Sequence, residues 1–182
     1  MTLRTLALGV AALSLAACSA PEPGTDNPEM SAAEYMAQNG KAKGVITNAS
    51  GLQYTVAQDG LEDGASPVPG QQIAAHYHGT FRNGEVFDSS YERSRPLTGP
   101  SNGFIKAWNE ALGDMKVCEA RTLYVSPELG YGQRDRGGIP GGSVLIFNMQ
   151  LLAVNTTDPA DGVNDCPEDK ILAGPEAYTL GK

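Results

Sequence analysis

The sequence lacks the features that mark several functional classes. Only 13 of its 182 residues are Lys or Arg, against 21 Asp or Glu, and the cations form no basic block. The formal net charge of −8 therefore disfavours nucleic-acid binding, which needs clustered cations to follow the phosphate backbone. No phosphate-cradling glycine loop, hydrolase nucleophile motif or internal repeat is present. The acidity itself identifies no partner, because a solvated acidic surface commonly serves solubility.

Long hydrophobic runs are also missing. The apolar run Leu6 to Ala17 follows a single basic residue, Arg4, and is too short for a bilayer, which needs about 20 apolar residues. This organisation is typical of an export signal, although a buried core helix with an incidental cysteine is an alternative. The run ends in Leu15-Ala16-Ala17-Cys18, which resembles the lipobox of bacterial lipoproteins.

The lipobox resemblance implies that the chain is lipidated at Cys18. We expect the membrane to be contacted through this N-terminal lipid anchor only, since several acyl chains on one residue give stable anchoring. Ser19 follows in place of Asp, which by resemblance to Gram-negative sorting rules points to the periplasmic face of the outer membrane. The predicted location is therefore the cell envelope.

Composition divides the chain into five segments. The spacer SAPEPGTDNPEM is rich in Pro, Gly and acidic residues, and Ser31 with Glu34 forms a capping-box pattern before Gly40. We expect a signal peptide at 1–17, a flexible tether at 18–30, a short helix and lead-in at 31–50, a folded domain at 51–155 and an acidic extension at 156–182.

The folded part reads as mainly strands. Apolar residues alternate with polar ones over 51–56 and 73–81, and one face of 144–154 is apolar, as half-buried strands require. Asn83-Gly84 suits a type I′ hairpin turn. One short amphipathic helix is predicted from the spacing of Ile105, Trp108, Ala111 and Leu112, with Gly113 as its stop. The predicted class is α+β, with a small antiparallel sheet wrapped on one helix.

Six pieces of this sequence, in order, resemble the FKBP-type peptidyl-prolyl cis-trans isomerases. They are HYHGTFRNGEVFDSS, Arg93 with Pro96, GFIKAWNEAL, SPELGYG, Ile139-Pro140 and VLIFNMQLL. The lead-in GVITNASGLQY further resembles the macrophage-infectivity-potentiator-like branch of that family. The resemblance implies a five- to six-stranded antiparallel half-barrel around one short helix, with an apolar pocket between sheet and helix.

The resemblance also implies which residues form the site. Catalytic positions would be Tyr77, Phe87, Asp88, Trp108, Tyr131 and Phe147. Substrate-binding positions would be Arg93, Leu97, Phe104, Ile105 and Ile139. Trp108 would form the floor, and the Ile105 N–H and the Tyr131 hydroxyl would bind substrate carbonyls. Without the motifs, most of the aromatic residues would simply be core residues.

The implied activity needs neither cofactor nor metal. The partners would be proline-containing unfolded or exported proteins, and macrolide inhibitors of the family would be possible ligands.

His76 and His78 share one strand face, but we see no third ligand and expect a solvent-facing pair. Leu97 and Gly138 replace an aromatic residue and an isoleucine that are common in the family. These two replacements leave room for an alternative, a non-catalytic chaperone or peptide-binding module on the same fold, whereas the retained pocket residues favour catalysis. A third alternative is an envelope lipoprotein with a mainly structural role.

Three cysteines complete the pattern. If Cys18 is lipidated, Cys118 and Cys166 remain as an even pair in an oxidising compartment, so we predict a disulfide between them. The alternative is one buried inert thiol and one exposed thiol in a mobile acidic tail.

Overall fold

The computed structural model describes residues 30–155 and 164–178, and these form two α-helices and one seven-stranded sheet. The helices are α1 (Ala32–Asn39) and α2 (Lys106–Asp114). The strands are β1 (Ile46–Thr47), β2 (Gln53–Gln58), β3 (Gln72–Phe81), β4 (Val86–Ser89), β5 (Leu97–Pro100), β6 (Ala120–Val125) and β7 (Leu145–Val154). The predicted α+β class is confirmed, with more strands than the five or six expected.

The sheet is antiparallel and is built on two long central strands. Its order is β1-β2-β6-β7-β3-β4, and β5 pairs with the first half of β3 while β4 pairs with the second half. β3 and β7 pair along their length, from Ile73 opposite Val154 to Phe81 opposite Leu145. Buried and partly exposed residues alternate along β3, as the sequence pattern predicts for a strand with one face on the core.

Helix α2 packs its apolar face against the sheet in the main core. Ala107, Trp108, Ala111 and Leu112 are buried at helical spacing. They join one core cluster with residues of the central strands, including Leu123, Phe147, Met149 and Leu151. The helix ends at Asp114 rather than at Gly113, because Gly113 keeps helical geometry and Met115 forms the cap.

The segment before the main domain packs onto the sheet. Ser31 and Glu34 form a complete capping box, in which the Glu34 N–H donates to Ser31 Oγ at 3.3 Å and the Ser31 N–H donates to the Glu34 carboxylate at 2.9 Å. Tyr35 and Met36 of α1 lie in a second buried cluster that also contains Tyr124. With β1 paired to β2, the lead-in and the sheet are one folded unit.

The prediction of a type I′ turn between β3 and β4 is wrong. A type I′ turn needs positive φ at both central residues, but in this loop only Gly84 has one, with φ +83°. The Gly84 N–H donates to the Phe81 carbonyl, and the Phe81 N–H donates to the Glu85 carbonyl. The loop is therefore longer than two residues, and Gly84 alone supplies the left-handed conformation.

The C-terminal segment 164–178 is held on the outer face of the sheet. Cys118 and Cys166 form a disulfide with a Cα–Cα distance of 5.0 Å, the pairing that the cysteine count predicts. The buried Gln150 side chain donates to the Lys170 carbonyl at 2.9 Å and accepts from the Leu172 N–H at 2.8 Å. Two short 3-10 helices lie here, at Glu168–Lys170 and Pro175–Ala177.

The predicted signal peptide, the lipidation site Cys18 and most of the predicted tether lie outside the described residues. Within 30–155 and 164–178, no helix is long and apolar enough to cross a membrane.

Candidate functional site

An aromatic cavity of about 510 Å³ opens between α2 and the sheet. Trp108, which is only 5% exposed, is in edge-to-face contact with Tyr77 and Phe147 at centroid distances of 4.9 and 5.2 Å. The lining residues are Tyr77, Phe87, Asp88, Leu97, Gly103, Phe104, Ile105, Lys106, Trp108, Gly130, Tyr131, Arg136 and Phe147. Such a cavity suits a small apolar group that stacks on aromatic faces.

The strand register explains how the aromatic wall is built. Gly79 on β3 lies opposite Phe147 on β7, and Phe87 from β4 packs over it. A Cβ at Gly79 would stand 2.6 Å from the ring of Phe87, so a larger residue would push this ring away. Without a side chain at position 79, Phe87 and Phe147 meet edge to face at 5.5 Å.

A polar triad forms one side of the cavity. The Tyr77 hydroxyl and the Arg93 guanidinium both donate to the Asp88 carboxylate, and Arg93 also donates to the Tyr77 oxygen at 2.7 Å. Burial acts to raise the pKa of Asp88, but the hydrogen bonds from Tyr77 and Arg93 outweigh it and the pKa is lowered. Burial, reinforced by the bond to Asp88, raises the pKa of Tyr77 to about 12. At neutral pH Asp88 is therefore a carboxylate and Tyr77 a neutral donor.

Three further donors stand at the cavity without partners among the residues that the structure describes. The Ile105 N–H precedes the first turn of α2, which has no side-chain cap. The Tyr131 hydroxyl makes no hydrogen bond within the described chain, and the buried Trp108 indole N–H has none either. Donors that are free inside an apolar cavity can bind the carbonyl groups of a peptide.

Comparison with known proteins decides the family. Residues 64–152 match the FKBP-type peptidyl-prolyl cis-trans isomerase family, and residues 22–56 match the domain amino-terminal to it. The chain is 46% identical over 91 residues to FK506-binding protein 2 of Aspergillus oryzae, covering 48% of this chain and 68% of that protein. The chain belongs to the FKBP-type isomerase family.

Two bacterial proteins match a larger share of the chain. FkpA of Aeromonas hydrophila is 40% identical over 131 residues, which is 72% of this chain and 48% of that protein. The crystal structure of FkpA from Escherichia coli matches with a TM-score of 0.65 at 36% identity, over 70% of this chain and 59% of that one. The chain spans about half the length of the bacterial relatives it matches.

Most residues that the resemblance assigned to the FKBP-type site lie together in the structure. Nine of the eleven line the cavity: Tyr77, Phe87, Asp88, Leu97, Phe104, Ile105, Trp108, Tyr131 and Phe147. Arg93 reaches it only through its bonds to Asp88 and Tyr77. Ile139 is placed differently from the expectation: it is 9% exposed and packs in the core cluster instead of lining the cavity.

Two charged residues of the lining were not predicted. Lys106 and Arg136 are exposed cations, which in a sequence are indistinguishable from ordinary surface charges. For Arg136, the sequence does contain a clue: the Gly137-Gly138 pair that follows it predicts a tight turn, which would fix the position of the Arg136 backbone.

The two histidines are engaged in local bonds of the FKBP-type domain. His76 Nδ1 lies 2.8 Å from Ser90 Oγ and its ring stacks on Tyr91, while His78 Nδ1 lies 3.1 Å from Ser89 Oγ. Both histidine side chains are partly buried, so the expectation that the pair faces the solvent is only partly met. Among the described residues, no group of three or more His, Cys, Asp or Glu could hold a metal ion.

Proposed function

We propose that the chain is a peptidyl-prolyl cis-trans isomerase that assists the folding of proline-containing exported proteins. The observation that carries this proposal is the aromatic cavity floored by Trp108, with unpartnered donors at Ile105 and Tyr131. A proline ring fits such a cavity, and the donors fit the carbonyls on either side of the X-Pro bond.

An apolar cavity with a few oriented donors is sufficient for this reaction, which needs no nucleophile. The barrier of about 18–20 kcal/mol arises from amide resonance, which makes the bond planar and polar. The twisted transition state loses that polarity, so moving the bond from water onto Trp108 favours the twisted form over the planar one. A thousandfold acceleration needs only about 4 kcal/mol, at about 1.36 kcal/mol per decade.

The polar triad has a positioning role in this proposal. Asp88, fixed by Tyr77 and Arg93, holds one wall of the cavity in place and keeps a negative charge beside the bound peptide. The rings of Phe87, Phe104 and Phe147 enclose the proline ring. Leu97 makes the cavity wider at the position where the family commonly has an aromatic residue.

A peptide assay tests the proposal. Isomerisation of a Leu-Pro tetrapeptide should be faster than background in chelator-treated protein and should be inhibited by a macrolide ligand of the family. Phe147→Tyr and Asp88→Leu should each lower kcat/KM, whereas Asp63→Leu, at an exposed carboxylate outside the cavity lining, should not. If wild-type protein shows no rate above background yet suppresses aggregation of an unfolded client, it is a non-catalytic chaperone.

We further propose that the chain is a lipoprotein of the cell envelope. The supporting observation is the sequence Leu15-Ala16-Ala17-Cys18 at the end of an apolar run, with a Pro- and Gly-rich spacer before residue 31. Residues 1–17 would be removed and residues 18–30 would form a tether, which would let the isomerase domain reach clients from the periplasmic face of the outer membrane.

A further inference from the structure

The cavity rim is positively charged, although the whole chain has a net charge of −8. Lys106 and Arg136 both line the cavity. In the described part of the chain, neither has a carboxylate at salt-bridge distance, and the other cation at this site, Arg93, is already paired with Asp88. Two uncompensated positive charges therefore stand where a peptide would enter.

Arg136 is held at this rim by a tight turn. The Arg136 N–H donates to the Ile139 carbonyl and the Ile139 N–H donates back, both at 2.9 Å. Gly137 and Gly138 have φ values of +57° and +88°, the two positive values of a type I′ turn. The Arg136 guanidinium also lies 5.7 Å from the centre of the Tyr131 ring, within the range of a cation–π contact with another residue of the cavity lining.

Lys106 stands where helix energetics do not favour a cation. It is the first residue of α2, and the helix dipole makes a positive charge unfavourable at this end. The first turn contains no acidic residue that would offset it. The local structure therefore gives no reason for a lysine at this position, whereas a negatively charged ligand at the cavity mouth would.

We infer that Lys106 and Arg136 select peptide segments that carry Asp or Glu within two residues of the proline. This inference rests on the proposed function, since it names the substrate class of the same cavity. A carboxylate there would meet two cations without breaking an existing ion pair, because it is Arg93, and neither Lys106 nor Arg136, that pairs with Asp88. For partly solvated ion pairs of this kind, the gain is about two- to fivefold in affinity.

Trp108 is the only tryptophan of the chain, so its fluorescence reports binding in the cavity without requiring turnover. The test is to titrate the full chain with end-capped, otherwise uncharged proline peptides in which a single residue is Glu or Gln, at each of the two positions before the proline and the two positions after it. We expect the Glu peptide to bind about two- to fivefold more tightly at one or more positions in low salt. The ratio should approach one in about 1 M salt, because screening weakens the exposed pairs.

Charge-removing variants locate the effect. Lys106→Gln and Arg136→Gln should each lower the Glu-to-Gln affinity ratio, and the double variant should bring it to one. Arg134→Gln is the matched control, because it removes an exposed cation of the same loop that does not line the cavity.

The outcomes separate the two proposals. Equal affinities of Glu and Gln peptides at every position, or a preference that survives in the double variant, would overturn the acidic-residue selection while leaving isomerisation of the neutral peptide intact. A Glu preference without any turnover would support the selection and overturn the isomerase activity. If the neutral peptide is not isomerised above background and no peptide alters the Trp108 fluorescence at millimolar concentration, both proposals are wrong.

Discussion

Trp108 belongs to the core and to the cavity at the same time. Its indole is 5% exposed, and the rings of Tyr77, Phe104 and Phe147 lie 4.9–5.5 Å from it. A change at this residue therefore alters stability and ligand contact together, and activity alone cannot report its role. The same is true of Phe147, which is buried on β7 and also lines the cavity.

Replacing Trp108 by Ala should lower the free energy of unfolding by roughly 3–5 kcal/mol, because the substitution leaves a cavity in a packed cluster. Denaturant unfolding followed by circular dichroism measures this without the lost indole fluorescence. Trp108→Phe is the matched control and should cost much less, since it keeps an aromatic ring in place. A loss in Trp108→Ala below about 1 kcal/mol would show that the site collapses or that Trp108 is not packed as described.

The lowered pKa of Asp88 makes part of the stability depend on pH. A carboxyl group whose pKa is lower in the folded than in the unfolded state stabilises the fold above its unfolded pKa, about 3.9, and this contribution disappears as the pH falls through the folded value. We therefore expect Asp88→Asn to be less stable than wild type at neutral pH and equally stable in strong acid. Unfolding midpoints measured from pH 7 downwards check this, and a difference between the two proteins that is the same at every pH would contradict it.

At the scale of elements, the C-terminal segment acts as an added layer on the sheet. Gln58 and Gln150, from two different strands, both donate to the Lys170 carbonyl, at 3.1 and 2.9 Å. The Tyr178 hydroxyl lies 3.1 Å from that of Tyr91, beyond β4. The segment is thereby attached at both ends, with the Cys118–Cys166 disulfide at one of them.

Loss of the disulfide should destabilise the whole domain. The linked residues are 48 apart, and a loop of this size gives a stabilisation of roughly 4 kcal/mol by the chain-entropy estimate. Cys118→Ser with Cys166→Ser should show this loss in denaturant unfolding and be insensitive to reductant, whereas wild type should become equally unstable when reduced. Titration of denatured, unreduced wild type from the envelope that finds two reactive thiols per chain would contradict the bond.

Local sequence patterns predicted most of the helices and strands but not the loops that connect them or the docking of the C-terminal segment. The alternation of apolar and polar residues predicted β3 and β7, and the capping box predicted the start of α1. Both patterns depend only on residues that are close in the sequence. The hairpin turn was wrong because the Asn83-Gly84 pair suits several loop lengths, and pairing beyond the loop selects among them. The docked tail has no apolar periodicity, so nothing local reveals its bonds to Gln150 from a distant strand.

At the scale of the molecule, the cavity collects residues from β3, β4, β5, β7, α2 and two loops. No spacing rule connects segments so far apart, and only the resemblance of ordered motifs predicted that nine residues would meet. Lys106 and Arg136 were missed because a motif assigns conserved roles and not the particular charges of one chain. Ile139 was misplaced because its motif position does not specify whether the side chain turns to the cavity or to the core.

The proposed lipid anchor makes a prediction for the whole chain. Cys18→Ser should prevent lipidation and move the protein from the membrane fraction to a soluble or unprocessed form, because the substitution removes the thiol that would accept the lipid. Labelled palmitate incorporated into wild type, but not into Cys18→Ser, is the direct measurement. Wild-type protein that takes up no lipid would contradict the anchor while leaving the isomerase proposal unaffected.

The strand order has a kinetic consequence. Gln53 pairs with Tyr124 and Ile73 pairs with Val154, so the sheet is closed by contacts between distant parts of the chain. High contact order slows folding, because loop entropy is lost before the rewarding contacts form, and refolding times in the range of milliseconds to seconds are typical of such topologies. Stopped-flow refolding should place this domain in that range, far slower than helical bundles of its size. A chain proposed to hasten the folding of others would thus itself spend a long time unfolded after export, with its central strand β7 unable to pair until nearly the whole domain has emerged.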